Sequence, residues 1–284
     1  MCAPTCPRTA AVNEHPPWKA FLDLEFLRKD GKVVLSRRRH GGPLYLQKPF
    51  YPEGDEVCHA YLLHPPSGLV GGDQLTIDVH VGDQAHTVIT TPACGKYYRS
   101  SGRTSRLTQH LTVAADSCLE WLPQETLLFG GSLAEIRTVV DLHSSARFIG
   151  WDVVVRGRPL SGDHYDSGTL DQRFELNREG APLLHERLHF TAGDPLLGHR
   201  WGLGGQPVTG LLVAYPADSA LRDTVRDGLT ESAMVGVTLV DRVLVLRVLS
   251  DGIEAARASL EPVLRAIREA ITGCSFRDLR IWQT

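Results

Sequence analysis

The residues His185-Glu186-Arg187-Leu188-His189 carry the spacing with which zinc proteases hold their metal. That pattern, H-E-x-x-H, works on a helix, where positions i and i+4 share a face and the carboxylate serves as a base. Here Pro182 precedes the segment, Gly193-Asp194-Pro195 ends it, and the apolar residues alternate. Alternation marks a strand, on which His185 and His189 would stand ~13 Å apart at ~3.3 Å per residue. One ion cannot bridge that span, so the match is read as accidental. The same alternation puts Leu184, Glu186, Leu188 and Phe190 on one face. With that face inward, Glu186 is a carboxylate inside a sheet and must meet a cation, donors or water. A salt bridge to an arginine is the plain reading, and a carboxylate lining a hydrated internal path is the functional one.

Three further carboxylates sit where the chain turns or enters a strand. Asp73 closes Gly68-Leu-Val-Gly-Gly-Asp73, whose glycines permit positive φ and close approach of another surface. The segment does not fit G-x-G-x-x-G and no helix follows, which argues against dinucleotide binding. An Asx-type turn is the plain reading of Asp73. Glu125 follows the apolar run Trp121-Leu-Pro-Gln, and Asp152 follows Gly150-Trp151. Either could be a strand-end hydrogen bond. Gly95-Lys96 lacks the rest of a phosphate loop, so the chain is not expected to hydrolyse nucleotides by itself. No G-x-S-x-G elbow and no thiol or hydroxyl with an evident base is present.

His59, His64, His80 and His86 lie among strands with Glu53, Asp55, Asp73 and Asp78 nearby in sequence. Imidazole with carboxylate suits nickel, zinc or iron, but histidines without fixed spacing read first as surface or hydrogen-bonded core residues. The six cysteines (Cys2, Cys6, Cys58, Cys94, Cys118 and Cys274) are scattered, unlike a disulfide scaffold. Cys2 and Cys6 offer half a metal site with no second pair.

The elements that must position these groups read as strands. Period-two alternation covers 21–26, 33–37, 44–47, 57–63, 75–81, 86–90, 106–113 and 118–122. It continues over 135–142, 148–155, 169–176, 183–190, 210–215, 235–240 and 243–249. Helical periodicity appears late, over 218–229 with Asp218 as cap and over 252–272. Pro262 falls inside the second helix and would remove a hydrogen bond there, so a kink or two helices are expected, with Ser259 capping the fresh one. Stretches 157–168 and 193–206 read as loops. No internal repeat is evident. Residues 1–17 read as a loose tail, and 18–284 as one domain.

Composition is that of a soluble globular chain: 284 residues, 42% hydrophobic and 22% charged. A formal net charge of −3 gives no drive toward nucleic acid or an anionic membrane. No apolar run approaches the ~20 residues that span a bilayer, and the N-terminus lacks the apolar core of a secretory signal. A reduced, cytoplasmic protein is expected. The basic groups Arg37-Arg38-Arg39 and Lys96, Arg99, Arg103 and Arg106 read as solvated.

Taken in order, these pieces resemble the urease accessory protein UreD family, called UreH in some organisms. The resemblance rests on Gly42-Pro-Leu, Gln47-Lys-Pro-Phe-Tyr-Pro-Glu-Gly54, Cys58-His59 and Leu63-His-Pro-Pro-Ser-Gly-Leu-Val-Gly-Gly-Asp73. It continues through Thr90-Thr-Pro, Lys96-Tyr-Tyr-Arg-Ser100, Trp121-Leu-Pro-Gln-Glu125, Gly150-Trp151, Glu186-Arg187-Leu188 and Arg280-Ile-Trp-Gln-Thr284. It covers nearly the whole chain after Trp18. Two departures stand out. Ser67 replaces a glycine usual after Pro-Pro, and Cys94-Gly95 replaces a Gly-Ala type of pair. Cys94 reads as a small buried thiol that could add a soft donor.

The resemblance implies a mainly β, non-catalytic scaffold of stacked antiparallel and mixed sheets, β-helix-like, with two late helical elements. It implies assembly with UreF and the GTPase UreG on apo-urease, and nickel insertion in which the metal passes transiently rather than being held as a cofactor. A path for a cation needs weak donors, because a closed cage would trap it. Asp73, Glu125, Asp152 and Glu186 are the residues expected to line or flank that path. The rival readings are an all-β metal- or carboxylate-dependent hydrolase near 59–73, which would show turnover, and a β-rich binding module. An obligate scaffold exposes apolar patches when alone, so poor solubility of the isolated chain is expected.

Overall fold

The computed structural model describes residues 16–229, 234–277 and 279–283. Most of the expected 1–17 tail, with Cys2 and Cys6, lies outside the described residues. Alternating burial builds the strands. In β1 (Lys19–Lys29), Leu22, Leu24 and Phe26 are buried while Phe21 is exposed. There follow β2 (Lys32–Gly41), β3 (Tyr45–Leu46), β4 (Val57–Leu63), β5 (Gln74–Val81), β6 (His86–Thr90) and β7 (Gly95–Tyr97). Then come β8 (Ser105–Val113), β9 (Cys118–Leu122), β10 (Thr126–Leu128), β11 (Leu133–Leu142), β12 (Arg147–Arg156), β13 (Thr169–Arg178) and β14 (Ala181–Thr191). A short helix α1 (Pro195–Gly198), β15 (Val208–Tyr215), α2 (Ser219–Asp227), β16 (Met234–Val240), β17 (Val243–Ser250) and α3 (Ile253–Thr272) complete the order.

Two stacked mixed sheets result. One runs β14-β13-β11-β8-β5-β1-β2 and the other β16-β17-β15-β12-β9-β6-β4-β3. The middle of the chain winds as a solenoid. Each turn lays one strand in the first sheet, one in the second, and one in a short ribbon in which β7 and β10 pair in parallel and β10 pairs with the end of β12. Successive turns stack Leu75 on Leu107, Ile136 and Gln172 in the first sheet, and Ile89 on Trp121 and Gly150 in the second. The repeat expected to be absent from the sequence is thus present in the geometry. Stacked columns require apolar character and strand alternation, not identical residues. Antiparallel pairs, β1–β2 and β13–β14, close the ends of the first sheet.

The strands expected at 57–63, 86–90 and 118–122 form with those bounds. β7 and β10 have three residues each, too few to show alternation, and sequence reading misses them. The stretches read as loops hold a 3-10 turn at Pro159–Ser161 and α1. α2 starts as expected, with the Asp218 carboxylate accepting from Leu221 N at 2.8 Å. Replacing Asp218 by Ala should cost about 1 kcal/mol of stability, measured by chemical denaturation.

The helix at 252–272 corrects the alternative of two helices with Ser259 capping the second. It is one element through Pro262, and Ser259 sits within it, buried, with its hydroxyl donating to the Ala255 carbonyl at 3.1 Å. An interior proline costs about 3 kcal/mol. That cost is offset by the buried face Ala256, Leu260, Val263, Leu264, Ile267 and Ile271, packed on the second sheet.

The inner strands of the second sheet, β4, β6, β9 and β12, have two buried faces. Ala60, Ile89, Leu119, Trp121 and Phe148 face the first sheet, while Val57, Val88, Leu122, Ile149 and Trp151 face α2 and α3. The helix side also carries His59, His86 and Glu120, which alternation assigns to the side of Val57, Val88 and Leu122. Arg268 of α3, 1% exposed, answers them. Its guanidinium donates to Glu120 at 2.8 Å and to Glu53 at 2.8 Å. His59 meets Glu53 at 2.7 Å and His86 meets Glu120 at 2.6 Å. Burial pushes the Glu53 carboxyl up, but hydrogen bonds from His59 and Arg268 outweigh it and hold it below its usual range. Burial likewise opposes the Arg268 charge, and the two carboxylates leave its pKa raised.

Candidate functional site

Alternation along β12 turns Phe148, Gly150, Asp152 and Val154 toward the space between the sheets. A side chain at Gly150 would run into the Phe148 ring, so glycine leaves that ring its place above the next turn. Asp152, two residues on, lines two cavities at once. The first, about 300 Å³, is bounded by His64, Cys94, Gln109, Trp121 and Gln124 besides aliphatic residues. The second, about 270 Å³, is bounded by Gln172, Glu186, Gly202, Thr209 and Arg247. Asp152 is therefore where the two spaces adjoin.

Its electrostatics fit that position. Asp152 lies at full depth in the protein, yet part of its surface remains open to the cavities. Burial pushes its carboxyl up to about 7, with the Gln172 amide offsetting part of the rise. Gln172 Nε2 itself lacks a partner in hydrogen-bonding geometry, as do His64 Nε2 and the Tyr97 hydroxyl. Burial likewise holds the His64 imidazole below its usual range, against the pull of Asp73. Burial and the Asp152 charge push the Tyr97 phenol far up. Orphaned buried polar groups cost about 1–3 kcal/mol each unless water or an ion meets them. Of these groups His64 lines the first cavity and Gln172 the second, and both spaces are wide enough for water.

The other three expected residues are placed differently. Glu186 lines the second cavity and is held by Arg247, whose Nε lies 3.3 Å from its Oε2. The expected salt bridge and the expected cavity-lining position therefore coexist at one residue. Asp73, 2% exposed, accepts from Trp18 N and from Val70 N, each at 2.9 Å. It ties the start of β1 to the glycine turn and lies beside the first cavity rather than in its wall. Asp73→Ala should lose about 1–3 kcal/mol of stability in a thermal melt, because two backbone donors are left without acceptors. Glu125 sits beyond the rim of the first cavity and receives Arg257 of α3 at 2.7 Å, while Arg257 also contacts Gln124. Its carbonyl accepts from Gly95 N at 2.9 Å, joining the β7 and β10 turns.

Sequence reading passed over Gln109, Thr138, Gln172 and Tyr97. The signal for three of them was present. Gln109 alternates with Leu107 and Leu111, Thr138 with Ile136 and Val140, and Gln172 with Leu170 and Phe174. In the structure all three are buried, and Thr138 donates to the Gln109 amide oxygen at 2.7 Å. The segment 185–189 lies within β14, where His185 pairs with Glu175 and His189 with Asp171, at the separation expected for a strand. Among the described residues no three His, Cys, Asp or Glu side chains converge as a metal cage. None of the described helices is long and apolar enough to cross a membrane.

The sequence model for "UreD urease accessory protein" matches residues 19–283, which span both sheets, both cavities and α3. The chain belongs to the UreD family of urease accessory proteins. A urease accessory protein UreD of Alkalilimnicola ehrlichii is 46% identical over 281 residues, covering 98% of this chain and 96% of that protein. The urease accessory protein UreD of Klebsiella aerogenes is 43% identical over 268 residues, covering 94% and 97%. That of Pseudomonas putida is 39% identical over 274 residues, covering 96% and 97%. At this coverage the UreD match takes in Asp73, Glu125, Asp152 and Glu186 together with the elements that place them.

Proposed function

We propose that this UreD-family chain is a non-catalytic cytoplasmic scaffold for nickel insertion into urease, and that the ion crosses its interior past Asp152. In this reading the chain assembles with UreF, which brings the GTPase UreG, and docks on apo-urease. GTP is hydrolysed in UreG, and this chain offers the route. The observation that carries the proposal is the single carboxylate shared by two cavities between the sheets.

Asp152 supplies the carboxyl in the shared wall of the two cavities. Glu186 stands in the wall of the second cavity, paired with Arg247, so a passing cation there competes with a guanidinium and is held weakly. Asp73 and Glu125 flank the first cavity, where His64 and Cys94 offer imidazole and thiol. Nickel accepts all of these donor types. Exposed Leu160, Trp201 and Met234 are apolar surface suited to cover by partners.

The test removes charge at Asp73, Glu125, Asp152 and Glu186 one at a time, and reads urease activation beside capture of UreF and apo-urease. Loss of activation with assembly intact supports the route. Normal activation by all four variants defeats it, and loss through failed assembly assigns the residues a structural role.

A further inference from the structure

The terminal strands of the first sheet are β2 and β14, and those of the second are β3 and β16. A bare strand edge invites another strand, and chains blunt it with shortness, charge, proline or a bulge. β3 has only two residues. β2 carries Lys32, Arg37, Arg38 and Arg39, and its register with β1 shifts at a bulge. β14 carries Pro182, His185, Arg187 and His189, and its register with β13 shifts as well. β16 differs. Its sequence, Met234-Val-Gly-Val-Thr-Leu-Val240, has no charge and no proline, and its register with β17 is unbroken.

The hairpin fixes which backbone groups of β16 point outward. Asp241 and Arg242, both at positive φ, make a two-residue turn, so Val240 and Val243 form a hydrogen-bonded pair. Alternation from that pair turns the N–H and C=O of Thr238 and Gly236 toward β17, and those of Leu239, Val237 and Val235 away from it. Arg226 of α2 marks the outward side independently, since its guanidinium donates to the Val237 carbonyl at 2.8 Å. Among the described residues no backbone group answers the remaining outward groups.

We propose that two copies of this chain pair through β16, antiparallel about a two-fold axis at Val237. In that register Val235 faces Leu239 of the second copy and Val237 faces its own counterpart, and each pair exchanges both of its outward bonds. The pairing closes on itself, because each copy uses the same edge, so it gives a dimer and not a filament. The occupant is a second copy because this strand complements itself. Self-pairing of β2 would bring arginines against arginines, whereas β16 sets no charge against a like charge. Val235, Val237 and Leu239 pack on the helix side. On the opposite face Met234, 53% exposed, meets Val240 of the second copy, 46% exposed, while Gly236 meets Thr238. A side chain at Gly236 would touch nothing, so the approach there is open. Arg226 acts as the gate: its bond to Val237 must be released before the central pair forms.

Sedimentation velocity on the full chain reads the equilibrium. The unaltered chain should show a concentration-dependent dimer. Arg226→Ala, which frees the Val237 carbonyl, should lower the dimer dissociation constant by about tenfold. Val235→Pro and Leu239→Pro each remove an outward N–H and none that serves β17, so each should abolish the dimer with an unchanged circular dichroism spectrum. Hydrogen exchange needs no variant: the amides of Val235, Val237 and Leu239 should exchange more slowly in the dimer than in the monomer. A chain that stays monomeric at every concentration, with Arg226→Ala no different, would overturn the proposal. So would a dimer that leaves those three amides unprotected, or growth beyond the dimer.

Discussion

Arg268→Met lowers the stability of the folded chain by about 3–5 kcal/mol, the usual cost of removing one member of a buried charge cluster. The loss comes from what is left behind. Glu53 and Glu120, with side chains 9% and 1% exposed, would keep their desolvation while losing the guanidinium that spans them. His59 and His86 would remain as the hydrogen-bond partners of Glu53 and Glu120. Urea denaturation of the variant should show the shift in midpoint. Adding Glu53→Gln and Glu120→Gln to Arg268→Met should recover part of it, since neutral amides avoid the unpaired charge. A loss below about 1 kcal/mol would mean that α3 is held by its apolar face alone.

The cluster also sets a pH window. The Glu53 carboxyl is lowered in the fold, so its contribution is present above the ordinary carboxylate range and is lost as pH falls through the folded value. The His86 imidazole is raised, so its contribution is full below the ordinary imidazole range and is lost as pH rises through its own folded value. A charged His86 compensates Glu120 in part once the guanidinium is gone, so the Arg268→Met penalty should grow as pH rises through the folded His86 value and be largest above it.

Asp152→Asn removes urease activation by about tenfold or more, the scale seen when a group that steers a metal is lost. It should leave capture of UreF and apo-urease unchanged, because asparagine keeps the size and the hydrogen bonds of the site. The same variant should be more stable than the unaltered chain at alkaline pH. The folded carboxyl titrates at about 7, well above its unfolded value, so the folded state holds a proton that the unfolded state has released. Stability therefore falls as pH rises through that interval and levels off above about 7. Asparagine does not titrate and escapes the slope. Melting temperatures of both proteins across the interval should diverge with rising pH, and parallel curves would show that Asp152 is solvated well enough to ionise freely. A variant more stable and less active is what a buried charge retained for function predicts.

How much of this was legible in the residues depends on the range over which each feature is determined. Alternation is local, and every strand of five or more residues could be read from it, as could the Asp218 cap. β7 and β10 could not, since three residues in the ribbon gain their partners only from the turns before and after. The alternative of a second helix starting at Ser259 fails for the complementary reason. The local cost of Pro262 is written in the sequence, but the six apolar side chains that outweigh it act through β12, β15 and β17, which only the fold brings under the helix.

The carboxylates divide the same way. By itself the sequence determined that Asp152 and Glu186 fall in strands, that Glu186 shares a face with Leu184, Leu188 and Phe190, and that His185 and His189 stand too far apart for one metal. It also carried the ordered motifs by which the chain resembles the UreD family. Only the tertiary structure decided that Asp152 joins two cavities, that Glu186 meets an arginine in β17, and that Asp73 and Glu125 are tied up outside the cavity walls. It also decided that His59, His86, Glu120 and Arg268 form one cluster. A side chain's face is set by its neighbours in the strand, whereas its partner is set by tertiary packing, by the winding of the solenoid between strands and by the docking of α3, which brings Arg268 to Glu53.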